Sequence, residues 1–124
     1  MTEGVKNITK HSWGIQIVNQ SGLQINESNV GARIEYILGV CKDQDTKRIL
    51  IEANDATLEV SFAKLFQVNE RFKQLGSNEI KLAIVAPNLV ETEMAKFIEE
   101  VSNIKGDTFL YFTNKGEAIE WLKK

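Results

Sequence analysis

A chain of 124 residues with 43% hydrophobic and 26% charged side chains has the composition of an ordinary folded domain. It is long enough to bury a core without a metal or disulfide staple. A formal net charge of −2 excludes the broad basic surface that nucleic acid requires, and a single cysteine excludes an internal disulfide and any multi-thiolate metal site.

The opening "MTEGVKNITKHSW" lacks the apolar centre of a signal peptide, and no run reaches the length of a membrane span. Cytoplasmic residence without membrane insertion is the expectation, for one domain over 1–124 whose residues 1–11 form a loosely ordered lead-in. The first strand is expected in "SWGIQIV", where Trp13, Ile15 and Ile17 alternate with Gly14 and Gln16. "NQSG" then reads as a turn with Gly22 at positive φ, and "LQI" as a short strand folding back on the first. Ser28 or Asn26 caps a helix whose stripe is Val30, Ile34, Ile37, Leu38 and Cys41. Gly31 and Gly39 inside it suggest close packing against a sheet.

"RILIEA" carries the unbroken apolar run of a strand covered on both faces. Behind it comes a helix with the stripe Phe62, Leu65, Phe66, Phe72 and Leu75, closed by Gly76. "IKLAIVA" is the next buried strand, ending at Pro87, the only proline. Asn88 with Glu91 has the spacing of a capping box for a helix striped by Met94, Phe97, Ile98, Val101 and Ile104 and ended by Gly106. "TFLYF" is the last strand, and Asn114 with Glu117 opens a last helix that turns Ala118, Trp121 and Leu122 inward. Strands alternating with helices of this length imply parallel pairing through right-handed crossovers.

Sheets of this kind bind ligands beyond the carboxyl ends of their strands. That rule selects a rim of Glu52, Asn54, Asp55, Asn88, Thr113, Asn114 and Lys115, any of which could equally be a strand-end turn or helix cap. No nucleophile sits beside a base: His11, the only histidine, precedes the first strand, and Cys41 lies on an apolar helical stripe. Neither GxxxxGK[ST] nor GxGxxG occurs, so the glycine-rich phosphate cradles are missing. No metal and no cofactor is implied.

The whole register resembles the STAS domain of sulfate transporters and anti-sigma-factor antagonists, from about Trp13 to Leu122. "IQIVNQSGLQI" looks like that family's opening strand and glycine turn, and "KRILIEAND" like its apolar strand of the pattern (K)xLxLDLS. "KLAIVAPN" and "GEAIEWLKK" look like its next strand and closing helix, and the ending "FTNKGEAIEWL" is similar to small stand-alone bacterial STAS-like proteins. The resemblance implies an α/β fold with a four- to five-stranded, mainly parallel or mixed sheet and four helices in a right-handed βα superhelix. It also implies a non-catalytic regulatory or protein-interaction role. The family's phospho-acceptor stretch falls on "LEVSFAKL", which places Ser61 near the acceptor, Glu59 near the acid and Thr57 close by. Where the family carries Asp-Ser-Ser-Gly, this chain carries Glu59-Val60-Ser61-Phe62. Ser61 is thus either a switch or the N-cap of the helix it precedes. The occupant of such a domain would be a protein partner, a second copy in a homodimer, or a small ligand or lipid. For the ligand reading, Phe62, Phe66, Phe72 and Phe97 are the expected pocket lining, and exposed Phe62 or Val68 would instead mark a partner surface. A small enzyme using the strand-end rim is the remaining reading.

Overall fold

Three apolar runs, "GIQIV", "RILI" and "KLAIV", lie side by side as the centre of a five-stranded sheet in a computed structural model that describes residues 5–74, 80–102 and 108–124. The elements in chain order are β1 (Val5–His11), β2 (Gly14–Asn19), β3 (Gln24–Asn26), α1 (Val30–Asp43), β4 (Arg48–Glu52) and β5 (Thr57–Glu59). They continue with α2 (Phe62–Gln74), β6 (Lys81–Val85), α3 (Glu93–Ser102), β7 (Thr108–Phe112) and α4 (Lys115–Lys123). The sheet order is β1-β2-β4-β6-β7, with β1 antiparallel to β2 and every other pair parallel. This is the mixed α/β sheet with four helices that the sequence implied.

Residues 5–11 correct the expectation of a loose lead-in, because they form β1 and pair antiparallel with β2, in one register from Asn7 to His11 and with a shift at Lys6 before Val5 meets Asn19. The strand gave no apolar signal: only Val5 is buried, and Lys6 to Lys10 all face solvent. Its order comes from the backbone ladder and from a two-residue turn, Ser12-Trp13, that ends at Gly14. There φ is +152°, and a Cβ would collide with the Arg48 carbonyl, so only glycine fits. Gly22 takes φ +73° as expected. "LQI" does not fold back on β2. Its residues 24–26 pair in parallel with β5 in a separate two-stranded ribbon, anchored where the Thr57 N–H donates to the Leu23 carbonyl at 2.9 Å.

The helix starts show which polar residues serve as caps. Neither Ser28 nor Asn26 caps α1. Asn26 Oδ1 instead accepts from the Ser28 N–H (3.0 Å) and hydroxyl (2.6 Å), and Asn29 stands at the N-cap without a capping bond, its amide accepting from the Asn26 N–H and donating to the Gln24 carbonyl, both at 2.9 Å. Gly31 and Gly39 have open space where a Cβ would stand, so close packing does not account for them. Helix α3 starts after Thr92, whose hydroxyl accepts from the Ala95 N–H at 3.2 Å, and not at Asn88. Asn114 caps α4 by accepting from Glu117 N–H at 2.8 Å. At the other end of α4, Arg48 donates to the Leu122 carbonyl and Lys81 to that of Trp121 (2.8 Å), placing two cations on the helix's negative pole.

Register divides the sheet into two faces. Leu50, Ala83 and Val85 meet Ala118 and Leu122 of α4 on one. Ile15, Ile17, Ile49, Ile51, Leu82 and Phe109 turn to the other, where α1 contributes Ile37 and Cys41. Phe62 and Phe66 do not join a core as their stripe suggested; they are exposed. Leu75, Gly76, Ile104 and Gly106, with the side chains of Leu65, Phe72 and Val101, lie outside the described residues.

Candidate functional site

The sequence-derived rim separates into three pieces. Glu52, at the end of β4, is turned to the α4 side of the sheet, where it accepts from the Gln16 amide. Gln16 Oε1 in turn pairs with His11 Nε2 at 2.7 Å, and the His11 ring stacks on Trp13 with centroids 4.9 Å apart. His11 therefore belongs to β1 and to a polar chain across the sheet, a correction to its placement outside the strands. Its signal was three polar residues, His11, Gln16 and Glu52, whose approach depends on a strand that sequence pattern did not reveal.

The second piece is the loop after β4. Asp55 accepts from the Ser21 hydroxyl, and Asn88 donates its amide to the Ala56 carbonyl at 2.6 Å. The Ser21 hydroxyl and then the Gly22 N–H hold the Asp55 carboxyl below the usual carboxylate range. Asn54 is exposed beside them. The third piece is Thr113, Asn114 and Lys115 at the start of α4, all exposed. Among the described residues, no side-chain hydrogen bond joins that group to Glu52, Asp55 or Asn88.

Ser61 stands just before α2. Its Oγ accepts from the Lys64 N–H at 3.1 Å, which is cap geometry, and donates to Glu27 Oε1 at 2.8 Å. Thr57 and Glu59 are exposed on β5, in line with Gln24 and Asn26 of β3. Beyond Ser61, Phe62 and Phe66 are 44% and 52% exposed, one helical turn apart. Phe62 meets Phe97 of α3 edge-on with centroids 4.9 Å apart, while Val68 is half-buried with Met94 and Ile98 around Val30 and Val60.

Under these helices lies a cavity of about 120 Å3 that no sequence pattern announced. Ile34 and Ile37 of α1, Ile51 of β4, Ile84 of β6 and Ile98 of α3 form much of its wall. Of the phenylalanines expected to line a pocket, Phe62, Phe66 and Phe97 lie elsewhere and Phe72 is outside the described side chains, while Phe109 is the one described phenylalanine that touches it. Polar groups enter at Asn19, Arg33 and Tyr111. Arg33 Nη2 donates to Asn19 Oδ1 at 2.9 Å, and burial lowers the guanidinium's pKa. Burial, with the Glu99 carboxylate nearby, pushes the Tyr111 phenol above its ordinary range. Glu99 also accepts from the Tyr111 backbone N–H at 2.8 Å, closing part of the outer edge of β7.

The fold so assembled has a counterpart among solved structures. An uncharacterized protein of the DUF3478 family with a SpoIIAA-like fold, from Shewanella loihica, superposes with a TM-score of 0.56. The match covers 96% of this chain and 94% of that one at 14% identity. No family model and no curated protein matches the sequence. The chain has a SpoIIAA-like, and hence STAS-like, fold.

Proposed function

We propose that the chain is a non-catalytic regulatory domain of STAS type that binds a protein partner with the start of α2. The observation that carries this reading is the exposure of Phe62 and Phe66, backed by Phe97, on a short stretch of helix surface. Two large aromatic side chains left to water one turn apart are typical of a surface that another molecule covers. The thiol and the imidazole support the non-catalytic part. Cys41 is packed among apolar residues with its pKa pushed up to about 11 by burial, while His11 is bonded to Gln16 on the other side of the sheet.

Ser61 borders the aromatic pair, and Thr57 and Glu59 flank it on β5. In this reading Ser61 is the point of control. The helix N-terminus favours a phosphate there, but Glu27 already holds the hydroxyl, so a dianion would repel that carboxylate and release the link to the β3–α1 turn. A benzophenone amino acid at position 66, irradiated in the cells that make the protein, tests the surface. Discrete adducts with another protein are expected from position 66 and not from position 10 on exposed β1. Irradiation that yields only the uncoupled chain at both positions rejects the reading, and adducts of the chain with itself would make the partner a second copy.

A further inference from the structure

We propose that the cavity beneath α1 and α3 is a binding site for a small neutral carbonyl compound, its alkyl chain among the isoleucines and its oxygen on the Tyr111 hydroxyl. Packed protein interiors contain few voids larger than a water molecule, so about 120 Å3 of space walled by Ile34, Ile37, Ile51, Ile84 and Ile98 is a departure from ordinary packing. An apolar cavity of about 150 Å3 stays dry and admits benzene, and by that measure this one holds a molecule of roughly five carbons.

The polar part of the wall selects the head. Arg33 Nη2 donates to Asn19 Oδ1 at 2.9 Å, and Arg33 is engaged elsewhere as well. An ionised head would therefore enter apolar surroundings without a counter-charge set aside for it, and burying such a charge is costly. Tyr111 offers something different. It stands on β7 beside Ile84 of β6, on the face of the sheet that the cavity occupies. Among the described residues its hydroxyl makes no hydrogen bond, since the contact with Glu99 is made by its backbone N–H. No sealed polar side-chain atom among those residues lacks a partner, so this hydroxyl borders open space, and the cavity is open space that Tyr111 lines. Burial, with the Glu99 carboxylate nearby, keeps the phenol protonated and hence a donor. A carbonyl oxygen answers that donor and adds none of its own, whereas a ligand hydroxyl would bring a proton in need of an acceptor. Phe62, Phe66 and Phe97 do not line the cavity, so this proposal and the partner surface stand or fall separately.

The test is a titration of methyl-labelled full-length chain with pentan-2-one and with pentanoate, followed by NMR of the isoleucine methyl groups. The ketone is expected to shift the methyls of Ile34, Ile84 and Ile98 saturably below ~10 mM, and the acid to bind about tenfold more weakly at neutral pH. Tyr111→Phe should weaken the ketone about fivefold, the loss of one hydrogen bond. Ala56→Leu, which fills the cavity wall, should abolish binding. The proposal is overturned if the ketone moves none of those methyls, if the acid binds as tightly, or if Tyr111→Phe binds the ketone as the parent does. The comparison of ketone and acid needs only the unaltered chain, so it decides the matter even if a variant fails to fold.

Discussion

On one face of the sheet, α4 lays Ala118 and Leu122 onto Leu50, Ala83 and Val85, five buried side chains ringed by the half-buried Trp13, Phe112, Ile119 and Trp121. The same helix is tied at both ends, by Asn114 at its start and by Arg48 and Lys81 at its finish, with Lys81 also 4.5 Å above the Trp121 ring. On the opposite face, α1, α2 and α3 lie together, α2 against both of the others, over a cavity of about 120 Å3, with Phe62 and Phe66 left in water. One short helix with paired ends can fill its seat completely. Three helices must also pack on each other, and the compromise leaves space beneath them and apolar side chains above. On the proposed function, structural and functional burdens would be separated: the α4 side holds the sheet together, and the α1–α3 side carries the exposed aromatic surface.

The contrast is sharpest for truncation on the filled side. Leu122 is fully buried between β4, β6 and α4, so Leu122→Ala should cost about 3–5 kcal/mol in urea unfolding. A loss below about 1 kcal/mol would mean that this side can collapse around a hole and is not the rigid half. Enlargement separates the faces directly. Ala83 and Ala56 are both buried, but Ala83 faces α4 and Ala56 lines the cavity. Ala83→Val should cost about 1–3 kcal/mol through overpacking, whereas Ala56→Val should be neutral or stabilise by up to about 1 kcal/mol. Equal costs in denaturant melts of the two variants would erase the distinction between the faces.

The filled side was also the more legible side. The unbroken runs in β4 and β6 and the Asn114–Glu117 spacing of α4 announced their roles, because burial and capping leave residue-type signals. The same Asn-to-Glu spacing misled at Asn88, whose amide is taken by the Ala56 carbonyl while Thr92 caps α3. That competition is tertiary, and no local pattern records it. β1 was hidden because an edge strand with five exposed residues has no apolar face to alternate. The cavity left one trace that could have been followed. Arg33 stands three residues after Val30 and four before Ile37, so a cation lies on the apolar stripe of α1. The seven-residue rim was legible as strand ends but not as a site, since Glu52 points to the α4 side and Asp55 to the turn after β2.

Smaller tests probe how the looser side is held. Ser61 links the start of α2 both to its own first turn and to Glu27. Ser61→Ala should therefore cost about 1 kcal/mol in equilibrium unfolding, and Ser61→Thr much less. If Ser61→Ala is silent, α2 does not depend on its cap.

The smallest effect concerns Ser21 and Asp55, an exposed tie between the turn after β2 and the loop after β4. The Ser21 hydroxyl and the Gly22 N–H stabilise the charged carboxylate, so the folded pKa lies below the unfolded one. Folding stability from this tie is consequently present above the unfolded pKa and is lost as pH falls through the folded pKa. Ser21→Ala removes the larger of the two causes, which should move the Asp55 carboxyl titration upward, toward the ordinary range, in a carbon-detected NMR pH series. The variant and the parent should differ in stability at neutral pH and converge in acid, where Asp55 is protonated in both states of both proteins. An unchanged titration would show that the Gly22 N–H alone orders this carboxylate. The loop after β4 would then be held by backbone and by Asn88, leaving the Ser21 hydroxyl without a part in it.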